Sequence, residues 1–344
     1  MLFFPSIIYA QYITTEKEPI KIDDELLYPS DLVVINDILF VKDLLESTGE
    51  YGIKAFNIKD GRKVNEFISI GRGPSEYLSI NIRRGPGEKS IEITDSRNRK
   101  NDIYSIECLV GKNIDTNDIS DCLETSIDNM TSREAIIISD SIVINTASGT
   151  DGVIFLSKRG QILEYIDEIP GEIIGKYEKP AVATAAMGGY LVTNKNRSSF
   201  AYFAKYYDHS FFMNEKEGNF YVVRDNKFTH LPEFSVMNVG GSSYMEPSEK
   251  AKFGYISPVS TEKYIYVLYS GRTLDDVEES ELVEWRAFSN RVKVFDWRGE
   301  EVAEILFAEQ LSNIAVSSDG KTLYGVTTDK DLNSKIVKYS LNYN

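Results

Sequence analysis

Apolar residues along the chain either alternate with polar ones or gather in runs of four to seven rich in Val, Ile, Tyr and Phe, as at residues 32–41, 135–145, 264–270 and 291–297. Alternation marks a half-buried strand and a short apolar run marks a strand covered on both faces, so the pattern predicts a mostly β protein. Helical periodicity is confined to residues 275–287, where Leu282, Val283 and Trp285 form a short apolar side. That stretch reads as an insertion.

Four strand–turn–strand units superimpose as a weak internal repeat: 53–57 with 64–68 around Asp60-Gly61, 153–156 with 162–166 around Arg159-Gly160, 219–223 with 228–231 around Asp225-Asn226, and 292–296 with 302–306 around Arg298-Gly299. Tight hairpins need positive φ, which glycine adopts freely and asparagine tolerates. One hairpin per blade of about 40 to 50 residues fills the chain with six blades. The expected fold is all-β, a six-bladed β-propeller with blades of four antiparallel strands, forming a single domain over residues 11–344. Stacking each sheet between two neighbours explains runs such as Ile136-Ile137-Ile138. The last segment offers three strands, at 314–316, 323–327 and 336–341, and the N-terminal segment 12–22 is expected to supply the fourth and close the ring.

Composition narrows the class. Apolar residues make up 42% and charged residues 26% of 344, which excludes a wholly disordered chain, a collagen and a multi-span membrane protein. A net charge of −15 repels phosphate backbones, so nucleic acid is not an expected partner. The first ten residues, MLFFPSIIYA, are too few to span a bilayer, which takes about 20, and are read as a signal segment ending at Ala10, its start truncated. No other stretch is long and apolar enough to cross a membrane. The expectation is an exported protein, periplasmic or associated with the outer membrane, and monomeric. Cys108 and Cys122 stand fourteen positions apart; an oxidising compartment permits them to bond, and the spacing fits unpaired thiols equally well.

Gly71-Arg72-Gly73-Pro74-Ser75-Glu76-Tyr77 resembles the G-x-G-P-G-E-F/Y signature of the TolB-like, six-bladed β-propeller proteins common in gut Bacteroidetes, with Ser75 in place of a glycine. The runs 264–272 and 292–299 look like the late-blade pattern of the same family, and Ser199-Phe200-Ala201 with Tyr207-Asp208 is a looser echo. The resemblance covers the chain from about Leu32 onward and implies a six-bladed propeller, exported and often lipid-anchored. It brings no established catalytic residues with it.

Motifs for catalysis fail one by one. In Gly71-Arg72-Gly73 the third glycine of a dinucleotide loop is replaced by Glu76, and Pro74 removes a donor N–H. Gly320-Lys321-Thr322 lacks the upstream glycine of a P-loop and reads as a hairpin turn. The acidic run 115–121 has Ile119 and Ser120 where a calcium loop needs a ligand and a glycine. His209 and His230 have no second histidine at zinc spacing, and no G-x-S-x-G elbow is present. No cofactor, metal or catalytic residue is therefore assigned. Arg72, Glu76 and Arg272 are the candidate ligand-binding residues, because they follow loop signals at strand ends, where propellers place binding surfaces. The expected function is non-enzymatic binding of a protein or glycan through loops at one face of the ring. The alternative is a carbohydrate-active enzyme, a lyase or hydrolase with its site in the central channel.

Overall fold

Three of the four expected hairpins form where the glycines placed them: Gly61, Gly160 and Gly299 have φ of 76°, 79° and 80° and turn the chain from the third to the outer strand of a blade. The fourth is out of register. Blade four turns at Glu217-Gly218, with φ of 55° and 82°, between Ser210–Lys216 and Asn219–Asn226, so Asn226 ends an outer strand instead of making a turn. Tyr221, Val222 and Val223 are apolar yet exposed, and that misleads a reading in which an apolar strand must be an inner one.

In the computed structural model the structure describes residues 11–14, 17–44, 51–67, 69–70, 76–111, 119–128, 134–139, 142–146, 152–158, 160–168, 173, 188–226, 233–239, 242–273, 275–276, 288–329 and 333–341. Most of the helix expected at 275–287 lies outside them. From the inside outward, blade one consists of Asp31–Ile35, Ile38–Leu44, Tyr51–Asn57 and Lys63–Phe67. Blade two follows with Ile80–Arg84, Ser90–Asp95, Lys100–Ser105 and Leu123–Asp128. Blade three is Ala135–Ser139, Ile142–Thr146, Gly152–Lys158 and Gln161–Glu168. Blade four begins with Gly189–Thr193 and Ser199–Ala204 before its hairpin at Glu217-Gly218. Blade five contains Tyr255–Ser260, Tyr264–Tyr269, Ser289–Asp296 and Glu301–Leu311, and blade six Asn313–Val316, Thr322–Thr328 and Ser334–Ser340.

The N-terminal segment divides between two blades, which a single added strand would not do. Lys17–Pro19 pairs antiparallel with Ser334–Ser340 as the outer strand of blade six. Gln11–Thr14 pairs parallel with Glu301–Leu311 and gives blade five a fifth strand. Blade two departs from the plain pattern as well: between its third and outer strands lies the short helix Ile106–Gly111, tied by the Cys108–Cys122 disulfide to the turn Ser120–Cys122. An extra hairpin, Phe234–Val239 with Ser242–Pro247, separates blades four and five.

Apolar clusters fill every seam between neighbouring blades, and the seams differ in chemistry. Phe203, Phe212, Tyr255 and Phe295 fill the seam of blades four and five with aromatic edges, while Leu32, Val34 and Phe56 meet Val326 and Ile336 where blade six returns to blade one. The seam of blades two and three has the smaller cluster of Ile103, Ile127, Ala135, Ile137 and Val143, supplemented by a buried polar network. There Glu92 on blade two accepts from Asn101 and from Arg197, which reaches in from the first turn of blade four and also donates to the Ile137 carbonyl. The Ile137 N–H donates to the same Glu92 oxygen as Asn101, and with Arg197 on the other oxygen both ends of the buried carboxylate are met.

Candidate functional site

The six inner strands surround one cavity of about 270 Å³, lined by residues of all six blades. Consecutive inner strands run in the same sense in a propeller, so their first residues share one end of the channel and their last residues the other. The two ends are built differently.

At the end where the inner strands finish, Arg84 of blade two crosses the channel. Its Nη2 donates to the carbonyls of Val34 on blade one (2.8 Å) and Val316 on blade six (3.0 Å), and its Nη1 donates to that of Ser260 on blade five (3.2 Å). Burial pulls the guanidinium below the ordinary arginine range, against the pull of Glu88, but arginine stays charged in proteins. Four blades are thus tied at one point, and the carbonyls at the channel edge gain a donor.

At the end where the inner strands begin, the polar side chains include Asp31, the first residue of blade one's inner strand, Glu134, just ahead of blade three's, and Tyr190, the second residue of blade four's, with Ser30, Asn81 and Asn313 beside them. Arg83, one residue before the crossing arginine and on the other face of its strand, reaches Glu134 at 3.0 Å. Lys42, from the second strand of blade one, stands 3.4 Å from Asp31. Burial, with the Asp31 carboxylate nearby, holds the Glu134 carboxyl above its usual range although Arg83 and Lys42 pull it down. Burial raises the Tyr190 phenol too, so it acts as a neutral hydroxyl. The Nε and Nη1 of Arg83 and the Oγ of Ser30 are buried without a hydrogen-bond partner, the Oδ2 of Asp31 has only the Lys42 ammonium, and at the other end the Arg84 Nε lacks an acceptor. Leaving such groups unmet costs about 1–3 kcal/mol each, and the mouth has more of them for water or a ligand to meet.

The residues singled out from the sequence lie elsewhere. Arg72 falls outside the described residues. Glu76 is half-buried in the two-residue strand Glu76–Tyr77, which pairs in parallel with Ser69–Ile70, and its carbonyl accepts from Asn98. Next to it the signature tyrosine is structural: the Tyr77 hydroxyl donates to Asp102 and bonds Tyr104, and the Lys100 ammonium lies 3.8 Å from the ring centre. Burial and the Asp102 charge push the Tyr77 phenol far up. Arg272 follows the second strand of blade five, and its guanidinium bonds the Asp276 carbonyl (3.0 Å) and Gln310 (3.5 Å) outside the cavity. Because Tyr269, the last residue of that strand, pairs with Tyr255, the first of the inner one, Arg272 stands on the face where the mouth opens.

Sequence reading missed Asp31, Arg83, Glu134 and Tyr190, since no spacing rule links positions so far apart. One signal was present. Asp31, Glu134 and Tyr190 each stand at the head of an apolar run, Leu32-Val33-Val34-Ile35, Ala135-Ile136-Ile137-Ile138 and Leu191-Val192, where a channel-lining strand first meets solvent.

Six radial sheets around a cavity crossed at one end and polar at the other define a six-bladed β-propeller with a cup-shaped channel. The profile of the TolB-like 6-blade propeller-like family matches residues 4–319, and the chain belongs to that family. No curated protein matches the sequence. Among solved structures the chain is similar to a candidate exported protein of Bacteroides fragilis, with a TM-score of 0.55 and 10% identity over 96% of this chain and 95% of that one. It is also similar to a member of the DUF4221 family from Bacteroides vulgatus, with a TM-score of 0.51 and 12% identity over 97% and 98% of the two chains. Chaetomium thermophilum Raptor aligns over 96% of this chain but 29% of its own length, at a TM-score of 0.49 and 13% identity, too weak a likeness to argue from. Among the described residues no helix is long and apolar enough to cross a membrane.

Proposed function

We propose that this protein is an exported binding propeller, periplasmic or associated with the outer membrane, that takes a protein or glycan ligand on the face where its inner strands begin. One group of that ligand enters the channel mouth. The observation that carries this reading is the contrast within one channel: both terminal nitrogens of Arg84 are bonded at one end, its Nε alone lacking an acceptor, while at the other Arg83 has two nitrogens and Ser30 its hydroxyl without a partner. Convergent polar groups in a concave, mostly apolar cavity are the usual form of a ligand site. Arg272 and Glu76 supply outer contacts beyond the cavity. Export is supported by the Cys108–Cys122 disulfide, which suits an oxidising compartment, and by the likeness to a candidate exported protein.

A thermal-shift series tests it, with glycan fragments, uronic acids and divalent cations added with and without chelator. A ligand at a hundred times its dissociation constant adds about 2.7 kcal/mol, a shift of several degrees. A saccharide shift that disappears in Ser30→Trp, which fills the mouth, sustains the reading; a shift that survives the plug places binding elsewhere. The second reading, a carbohydrate-active enzyme, is favoured by Glu134, a carboxyl held up beside the Asp31 carboxylate in the manner of a general acid with its partner. Turnover of the shifting saccharide, lost in Glu134→Gln and in Asp31→Asn, would select it.

A further inference from the structure

Formal charges on the channel wall cancel, Arg83 and Arg84 against Asp31 and Glu134, and Lys42 faces Asp31 from the second strand of blade one. Arg84 bonds only carbonyls, and burial holds the Glu134 carboxyl above its usual range, so the wall is less negative than its two acids alone would make it. Arg83 supplies the donors. One terminal nitrogen holds Glu134, and Nε and Nη1 on either side of it have no acceptor. A carboxylate takes two parallel N–H donors along one edge of a guanidinium, which here pairs Nε or Nη1 with the second hydrogen of Nη2. Close by, the Ser30 Oγ has no partner, and Asp31, whose Oδ2 faces the Lys42 ammonium, brings a carboxylate; these are a hydroxyl and an acceptor of the kind ligand hydroxyls seek.

We infer that the channel mouth binds a small hydroxylated carboxylate, of the class of uronic-acid sugars, with the carboxylate on Arg83 and ligand hydroxyls on Asp31 and Ser30. The cavity's size sets the scale: about 270 Å³ is at the low end for ligand pockets and admits one sugar-sized residue, so the guest is a free monomer or the terminal unit of a longer glycan. The inference rests on the mouth being a ligand site and adds the chemistry of the ligand.

Calorimetric titration of the full chain tests it with four probes: galacturonate, glucuronate, and the neutral sugars galactose and glucose, each repeated on Arg83→Gln and Arg83→Lys, with circular dichroism and melting to show that both variants fold. The expected result is that a uronate binds at least tenfold tighter than its neutral counterpart, that Arg83→Gln abolishes the preference, and that Arg83→Lys, which keeps the charge and loses the planar edge, retains part of it. Equal binding of acid and neutral sugars, undiminished uronate binding by Arg83→Gln, or no binding of any uronate overturns it. Neutral-sugar binding that Ser30→Trp abolishes would discard the carboxylate and leave the mouth as the site, so the two readings fail separately.

Discussion

Arg83 and Arg84 are chain neighbours on one inner strand, and alternation sends them to opposite faces of it. Arg84 runs across the far end of the channel and ties blade two to three others through main-chain carbonyls, whereas Arg83 turns to the mouth, meets a single carboxylate and keeps two nitrogens open. Residue type and position in the strand therefore do not fix a role. What divides the two is the supply of acceptors: the ends of the inner strands converge on Arg84 with bare carbonyls, and the beginnings present carboxylates and open space. Arg84, with both terminal nitrogens bonded and only its Nε without an acceptor, serves the fold, and Arg83, with one terminal nitrogen bonded, is the better placed for binding.

The largest effect should come from a change that removes neither arginine. Deleting residues 11–24 takes away the outer strand of blade six, the fifth strand of blade five and the half-buried Ile20 and Ile22. If ring closure depends on that strand, the melting temperature should fall by roughly 10 °C. An unchanged melt would mean that seam packing and the Arg84 crossing suffice alone. Arg84→Met comes next. Three carbonyls lose a charged donor, and after water partly replaces it the loss of stability should be about 3 kcal/mol, read by denaturant unfolding. A loss below about 1 kcal/mol would break the comparison from the structural side.

Arg83→Gln should cost about 2 kcal/mol, less than Arg84→Met, because the pair it breaks is largely buried but the orphaned Glu134 can take up a proton, while it removes affinity for carboxylate ligands. The smallest effect is a pH dependence. Burial and Asp31 raise the folded-state pKa of Glu134, so its carboxyl holds a proton more firmly in the folded chain than in the unfolded one. Its contribution is then fully present below the ordinary glutamate pKa and is lost as pH rises through the folded value. Glu134→Gln, which cannot ionise, should melt close to the native chain at pH 4 and progressively above it toward pH 7. A native melt independent of Glu134 over that range would show that Arg83 neutralises the carboxylate after all.

Much of the architecture was legible because a propeller repeats a local signal. Gly61, Gly160 and Gly299 sit in hairpins that need positive φ, and the strands around them alternate or run apolar according to how many faces they bury. The signal failed where local chemistry was shared with something else. The turn falls at Glu217-Gly218 and not at Asp225-Asn226, and the cysteine spacing, which left bonded and unpaired thiols equally open, does not show that a helix and a disulfide replace blade two's third-to-outer hairpin. Arg272, named from its turn, stands outside the cavity, and the residues that line its mouth, Asp31, Arg83, Glu134 and Tyr190, come from four blades that meet only when the ring is complete. Their relation is one of closure, and linear spacing contains no trace of it.

The most direct test follows the Nε–H signals of the two arginines by nitrogen-15 NMR while galacturonate is added to the native chain, with assignments from Arg83→Lys and Arg84→Lys. The account predicts that the Arg83 signal moves in a saturable way and that the Arg84 signal stays, its guanidinium being held by the carbonyls of three other blades. Movement of the Arg84 signal with Arg83 unchanged, or saturable binding that moves neither, would contradict it.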